Sequence, residues 1–259
     1  MTFSGTENLT LLVASNESIK TTPCPRLLEL RWWGETLSDE MLPCPISDMP
    51  SLTSFIVGTN HIDPAFRFPQ TVVSLSLEVL DWMVEIALLT SMTRLQRLAI
   101  KTNDDADPLD LSGLTTLTWF FLDTFPVSRL PTSLVKGSVV LASDVDFCRC
   151  ASLTSLSVAM KRDIQVTFPT QLKKLHMRSG WPVDSNVSHV AVETLKSSEH
   201  TLTQQDVDAL PRTLQQFQCP IEPGVCLPSF STILPLGGID ESKTSLNVRR
   251  VEGQPSLVR

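Results

Sequence analysis

Few residues in this chain are able to do chemistry, and their spacing limits what they can do. Six cysteines are spread over 259 residues. The tightest pair, Cys148 and Cys150 in FCRC, is a C-x-C. Structural zinc needs paired C-x-x-C units or histidines at matching spacing, and neither occurs. Four histidines are too sparse for a triad. His61 and Asp63 in NHIDP offer either a ligand pair or a turn beside Pro64. NDDADPLD, residues 103–110, is rich in Asp but lacks the Gly and closing Glu of a calcium loop, so it reads as a solvated outer loop. No Gly-rich phosphate loop, G-x-S-x-G or H-E-x-x-H is present. The expectation is a protein with no catalytic residues, no metal and no cofactor.

Composition narrows the class further. The net charge is −7 with a pI near 5.1, which argues against a general nucleic-acid binder. The N-terminus lacks the basic start and apolar run of a signal peptide. The most apolar stretch, residues 79–92, is interrupted by Asp81 and Glu85 and is too short to span a bilayer. Leu80, Val84, Leu88 and Met92 recur every four residues in it, which predicts a half-buried helix. A cytoplasmic protein with no membrane segment is expected. Asn8, Asn16 and Asn186 head glycosylation sequons that matter only in a secreted chain.

The elements that position the remaining side chains follow from a repeat. RFPQTVVSLSL, RLPTSLVKGSV, TFPTQLKKLHM and ALPRTLQQFQC share an apolar residue, Pro, two residues and then Leu or Val. Aligned on that Leu or Val, they give anchors at Val72, Leu134, Leu172 and Leu214. Leu52, Leu95, Leu117 and Leu153 anchor copies without Pro, and Leu9, Leu27 and Val187 anchor weaker ones. The eleven anchors recur about every 20 residues. Apolar residues stand at the anchor, three later and five later, with Gly137 as the clear lapse.

Positions three and five are two apart, so they share one face of a strand. A lone strand cannot bury that face, but stacked copies cover one another. Strands recurring at this interval run parallel, with the chain returning outside them. Pro marks the corner into each strand, where its fixed φ is useful and its missing N–H costs nothing. Phe68, Leu130, Phe168 and Leu210 then point inward. Met49, Met92, Leu114 and Cys150 hold the corner in other copies. Cys24, Cys150 and Cys219 therefore read as small core residues, whereas Cys44, Cys148 and Cys226 fall in turns.

L-x-x-L-x-L at this period resembles the leucine-rich repeat superfamily. The LPxxLxxL form is similar to the short, proline-marked repeats of some protist proteins and bacterial leucine-rich effectors. The resemblance implies an α/β fold: a solenoid over residues 5–220, with a parallel sheet on the concave face and irregular or short helical convex segments. Some such effectors carry a separate catalytic-cysteine domain, but too little chain follows Cys226 for one. The superfamily usually places Asn or Cys eight residues after the anchor. Here only Asn60 and Asn103 match, which predicts irregular loops. Residues 221–259, rich in Pro, Gly, Ser and charge, offer no clear strand and read as an irregular cap or disordered tail.

If positions three and five point inward, positions two, four and six tile the concave face. That face carries Arg31, Trp33, Arg97, Lys101, Trp119, Phe121, Lys174, His176 and Arg178 as candidate partner-binding residues. It also takes in Lys136 and, from the Val187 copy, His189, Ala191 and Glu193. Exposed aromatics beside Arg have the composition of binding hot spots. Either a partner covers them, or a loop or the C-terminal segment does, or the register is shifted by one residue and both aromatics of the Leu117 copy face inward. The functional expectation is a non-catalytic scaffold that binds a protein partner, an acidic one by charge. The alternatives are a recognition arm of a longer enzyme or signalling protein, and a self-associating structural protein.

Overall fold

The computed structural model describes residues 2–3, 7–15, 20–21, 23–79, 89, 91–102, 109–123, 127–141, 144–160, 164–179, 186–197, 201–211, 213–226, 232–234 and 245–249. The chain divides into two compact units, Met1–Val140 and Leu141–Arg259. The first contains β1 (Thr2–Phe3), β2 (Leu11–Ser15), β3 (Lys20–Thr21), β4 (Glu29–Leu37), β5 (Ser54–Ile62), β6 (Ser74–Val79), β7 (Arg97–Thr102), β8 (Leu109–Asp110), β9 (Trp119–Asp123), β10 (Val127–Arg129) and β11 (Lys136–Leu141). In it, β2, β4, β5, β6, β7, β9 and β11 pair in that order, all parallel.

The second unit contains β12 (Val145–Asp146), β13 (Ser155–Met160), β14 (Val166–Thr167), β15 (Lys174–Ser179), β16 (Thr194–Ser197), β17 (Gln216–Pro220), β18 (Thr232–Leu234) and β19 (Ser245–Arg249). Here β13, β15, β16 and β17 pair in parallel. Each unit is a parallel β-solenoid whose successive repeats add one strand.

The repeat has a fixed hydrogen-bond signature. The anchor N–H donates to the carbonyl three residues earlier in Leu27, Leu52, Val72, Leu95, Leu117, Leu134, Leu153, Leu172 and Leu214. The next two N–H groups both reach the carbonyl just before the preceding strand: Thr118 and Trp119 to Gln96, or Lys173 and Lys174 to Thr154. Pro and non-Pro corners differ by one bond. Met49, Met92, Leu114 and Cys150 donate their own N–H three residues back, closing a second turn. Pro69, Pro131, Pro169 and Pro211 lack that donor and are buried there, so one corner is built in two ways.

Inward positions form the core. In the first unit Leu30, Phe55, Leu75, Leu98 and Phe120 are buried three residues after their anchors, and Trp32, Val57, Leu77, Ile100 and Leu122 five after. In the second, Leu156, Val158, Leu175, Met177 and Cys219 do the same. Phe68, Phe168 and Leu210 point inward at their corners, while Leu130 is half-buried. Phe68 meets Phe66 edge-on with ring centroids 5.2 Å apart, and Phe168 stacks on Phe147 at 6.3 Å. Gly137 is not a void. A Cβ there would strike the Phe120 ring, so the large residue on β9 fills the place the glycine leaves on β11.

Hydroxyls bind the returning chain to the sheet. Thr116, Ser133 and Thr213, each one residue before an anchor, donate to the carbonyl of the previous anchor, at Leu95, Leu117 and Val192. Asn60 is an exposed residue of β5, and Asn103 lies outside the described residues. Asn186 is instead a brace: its side chain accepts from Phe168 N–H at 2.7 Å and donates to Phe168 C=O at 2.9 Å.

Three expectations need correction. The α/β label does not hold, because the described return segments carry short parallel strand pairs, β1 with β3, β8 with β10 and β12 with β14. Among the described residues, regular α-helix is confined to Leu89 and the five-residue α1, Gln204–Asp208, with 3-10 turns at Ile46–Asp48 and Val187–His189. A repeat of about 20 residues leaves too short a return for a longer helix to form and still close the corner. The helix expected over 79–92 lies largely outside the described residues, as does most of the acidic loop 103–110.

Val187 is not an anchor but part of a 3-10 turn. The strand that follows is β16, so Val192 is the anchor, and steps of 15 and 27 become 20 and 22. His189, Ala191 and Glu193 accordingly leave the sheet face. Beyond residue 221 there are two strands where the pattern offered none: β19 pairs antiparallel with both β17 and β18. No helix among the described residues is long and apolar enough to cross a membrane.

Candidate functional site: the outward face of each sheet

The strand register settles which side chains face out. Leu98, Leu156 and Leu175 are at most 2% exposed, while their neighbours Arg97 and Lys174 are exposed. Trp119 is 36% and Trp33 42% exposed. The aromatics of the Leu117 copy therefore split as the pattern requires, with Phe120 inward and Trp119 outward. Phe121 faces out as well but is half-buried.

In the first unit, pairing across the sheet creates lateral rows. One runs Glu29, Ser54, Ser74, Arg97, Trp119 and Lys136, so a cation stands on each side of the Trp119 indole. A second runs Arg31, Ile56, Ser76, Ala99, Phe121 and Ser138. Ser74, Ser76 and Ala99 are small, and they leave a groove of about 830 Å³ bounded by Arg97, Thr118, Trp119 and Lys136. Its lining combines an indole, two cations, hydroxyls and the aliphatic Leu75 and Val135.

The charges are not equally available. Arg31 is paired with Glu29 at 2.5 Å, and Lys101 with Glu78 at 2.7 Å. Glu78 also holds the Lys101 ammonium above its ordinary range. Exposed pairs of this kind contribute little stability, but they lower the pull on an incoming carboxylate. Among the described residues, Arg97 and Lys136 have no such partner. Trp33 sits at the other side of this face, its indole lying against Gly58 of β5.

In the second unit β15 presents Lys174, His176 and Arg178. Lys196 of β16 lies directly beside His176. It takes the place first given to Ala191, and Glu193, which the corrected register also removes from the face, pairs with Lys173 at 3.4 Å. Burial first, then the charges of Lys196 and Arg178, push the His176 imidazole below its ordinary range, so it adds no charge at neutral pH. Arg178 is half-buried, with its Nε and Nη2 enclosed and unpartnered.

The residues expected to bind a partner thus fall on two units: Arg31, Trp33, Arg97, Lys101, Trp119 and Phe121 on the first, and Lys174, His176 and Arg178 on the second. Lys196 was hidden from sequence reading by the misplaced anchor. The value of Gly58 shows only once β4 and β5 are paired.

The thiols have a simple account. Cys24, Cys44, Cys150 and Cys219 are buried, and Cys148 and Cys226 are exposed, none of them in a disulfide. Burial pushes Cys44 and Cys150 up to about 11 and Cys219 up to about 12, which leaves no thiolate for nucleophilic attack at neutral pH. Asp63 closes a turn, accepting from Ala65 N–H at 2.8 Å. Among the described residues, no group of three or more His, Cys, Asp or Glu is placed to hold a metal. No protein-family model matches the chain, and no curated protein is significantly similar to it.

Proposed function

We propose that this chain is a non-catalytic scaffold of leucine-rich repeats that binds a protein partner on the outward faces of its sheets. The observation that carries the reading is Trp119, held outward on a rigid strand between Arg97 and Lys136 at the edge of a groove floored by small residues. A large exposed indole has no role in the core, and aromatics flanked by Arg are enriched where binding energy concentrates. The unpaired cations favour an acidic partner. Six free thiols fit a reducing compartment, in line with a cytoplasmic protein.

The test compares wild type with Trp119→Ala in capture from native extract, with thermal melting of both. Loss of a specific partner at unchanged melting supports the reading. An unchanged partner set contradicts it.

Self-association is the second reading, favoured by one feature. On β2, Leu11 is 48% and Val13 58% exposed, and neighbouring Leu28 is 48% exposed. Sedimentation over a hundredfold concentration range separates the two: a constant mass excludes stacking of copies.

A further inference from the structure

Strand β2 is the edge strand of the first unit. It pairs with β4 on one side, and no described strand pairs with its other side. Along a strand the N–H and C=O of one residue point to the same side, and the side alternates from residue to residue. The Thr10 carbonyl accepts from Glu29 N–H at 3.0 Å. Thr10, Leu12 and Ala14 therefore direct their main-chain groups to β4, and Leu11, Val13 and Ser15 direct theirs to the open edge.

Open edges are normally blunted by charge, proline, a bulge or a covering element. The first three are missing here. The strand, LLVAS, holds no charged residue and no proline, and its ladder with β4 runs without a register shift. Leu11 is 48% and Val13 58% exposed, and Ser15 is exposed as well. The nearest charges on the same face, Arg31 and Glu29 of β4, are paired with each other. A charged peptide would find no counter-charge on this edge.

The strand is instead its own complement. A two-fold axis normal to the sheet at Val13 sets β2 antiparallel to its image, with Val13 opposite Val13 and Leu11 opposite Ser15. All three residues then become hydrogen-bonded pairs, and every main-chain group they direct to the edge is satisfied. A register centred on Leu12 or Ala14 would leave one of the three without a partner on β2. On the outward face, Leu11 of the second copy comes to lie beside the small Ser15, whose other neighbour is the half-exposed Trp33. No charge meets a like charge across the seam. The chain already uses the same device once: in the second unit β19 pairs antiparallel with β17, whose other side carries the parallel β16.

We propose that β2 is a homodimerisation edge, where two copies of this chain join β2 to β2 antiparallel about Val13. Such a dimer gives the self-association reading a surface and a stoichiometry, and it rests on that reading and not on Trp119. Pairing consumes the edge, so assembly stops at two copies.

Sedimentation of the full chain across a wide concentration range is combined with amide hydrogen exchange, resolved by NMR, at both ends of that range. The mass should rise from 28.7 kDa to twice that value and no further. The Leu11, Val13 and Ser15 amides should be protected only at the high end, whereas those of Leu12 and Ala14, bonded to β4, should be protected equally at both. Val13→Lys sets two ammonium groups face to face and removes an exposed apolar contact. It should weaken dimerisation at least about tenfold while melting like dilute wild type. A dimer whose Leu11, Val13 and Ser15 amides stay unprotected, or one that Val13→Lys leaves intact, overturns the edge and leaves self-association through another surface. Protection of those amides at every concentration without a change of mass shows that a segment of the same chain covers β2, and overturns the dimer. Constant mass with the amides unprotected overturns the dimer and the self-association reading together. The exchange pattern is read on wild type, so it decides the matter even if Val13→Lys fails to fold.

Discussion

The indole of Trp33 on β4 lies against Gly58 on β5, so close that a β-carbon at Gly58 would fall 2.9 Å from the indole nitrogen. The two residues are direct partners in the parallel ladder. A glycine inside a strand weakens it, and here its smallness seats a half-exposed aromatic on the outward face. Gly58→Ala should displace the Trp33 side chain while changing stability by less than about 1 kcal/mol, since no core residue moves. The Trp33 indole N–H resonance reports it: a shift is expected, and an unmoved resonance sinks the contact.

The strand register predicts a sharp contrast between neighbours. Leu98→Ala, Leu156→Ala and Leu175→Ala remove fully buried side chains and should each cost about 2–5 kcal/mol. Arg97→Ala, Ser155→Ala and Lys174→Ala, one residue earlier, should each cost under about 0.5 kcal/mol. Chemical denaturation of the six variants measures it, and equal losses in both sets would show the register to be wrong.

Gly137 and Phe120 should couple. Gly137→Leu alone forces a side chain into the Phe120 ring and should cost about 1–3 kcal/mol. Phe120→Leu alone leaves space. Combined, each relieves the other, and a double-mutant cycle should return a favourable coupling of about 0.5–3 kcal/mol. Strict additivity would mean that the ring does not occupy the glycine's place.

Buried thiols make stability fall at high pH. The folded chain holds the protons of Cys150 and Cys219 to about 11 and about 12, above the ordinary value of 9.0. Between pH 9 and 12 the unfolded chain therefore binds fewer protons than the folded one, and stability declines as pH rises. Cys219→Ala should flatten that decline. At pH 8 in the folded protein, Cys148 and Cys226 should be alkylated first, as mapped by mass spectrometry, and early labelling of Cys219 would contradict its burial.

How much of this was readable in the sequence follows from what period-2 patterns encode. Leu98 and Arg97, or Leu175 and Lys174, differ in polarity along one strand, so inward and outward residues separate without any knowledge of the neighbours. The Val187 copy misled for the same reason. Val187, Val190 and Val192 meet the apolar spacing and all are buried. Which of them begins the strand is decided by hydrogen bonds from Glu193 and Thr194 to Lys173, which no single strand contains.

Gly137 looked like a lapse because its compensating Phe120 stands on another repeat. The hydroxyl ladder of Thr116, Ser133 and Thr213 was written one residue before each anchor, but its partners are backbone carbonyls and leave no pattern of their own. Arg178 read as one more outward cation, and its place as the extra residue in the pairing of β13 with β15 appears only when the two strands are paired. In β19, Leu246 and Val248 alternate with polar residues, but the strand is short and flanked by polar chain, so its antiparallel pairing left no signal in the repeat pattern.

The central claim is that the outward face around Trp119 binds a protein. Quantitative capture from native extract with wild type, Trp119→Ala, Trp33→Ala and the turn variant Asp39→Ala tests it most directly, each bait first shown to melt like wild type. Asp39 is an exposed residue of the turn after β4, off the strand face, and serves as the control. A protein retained by wild type and Asp39→Ala but weakened by about 2 kcal/mol or more in Trp119→Ala is the predicted result. The same proteins retained in equal amount by all four baits would contradict the account.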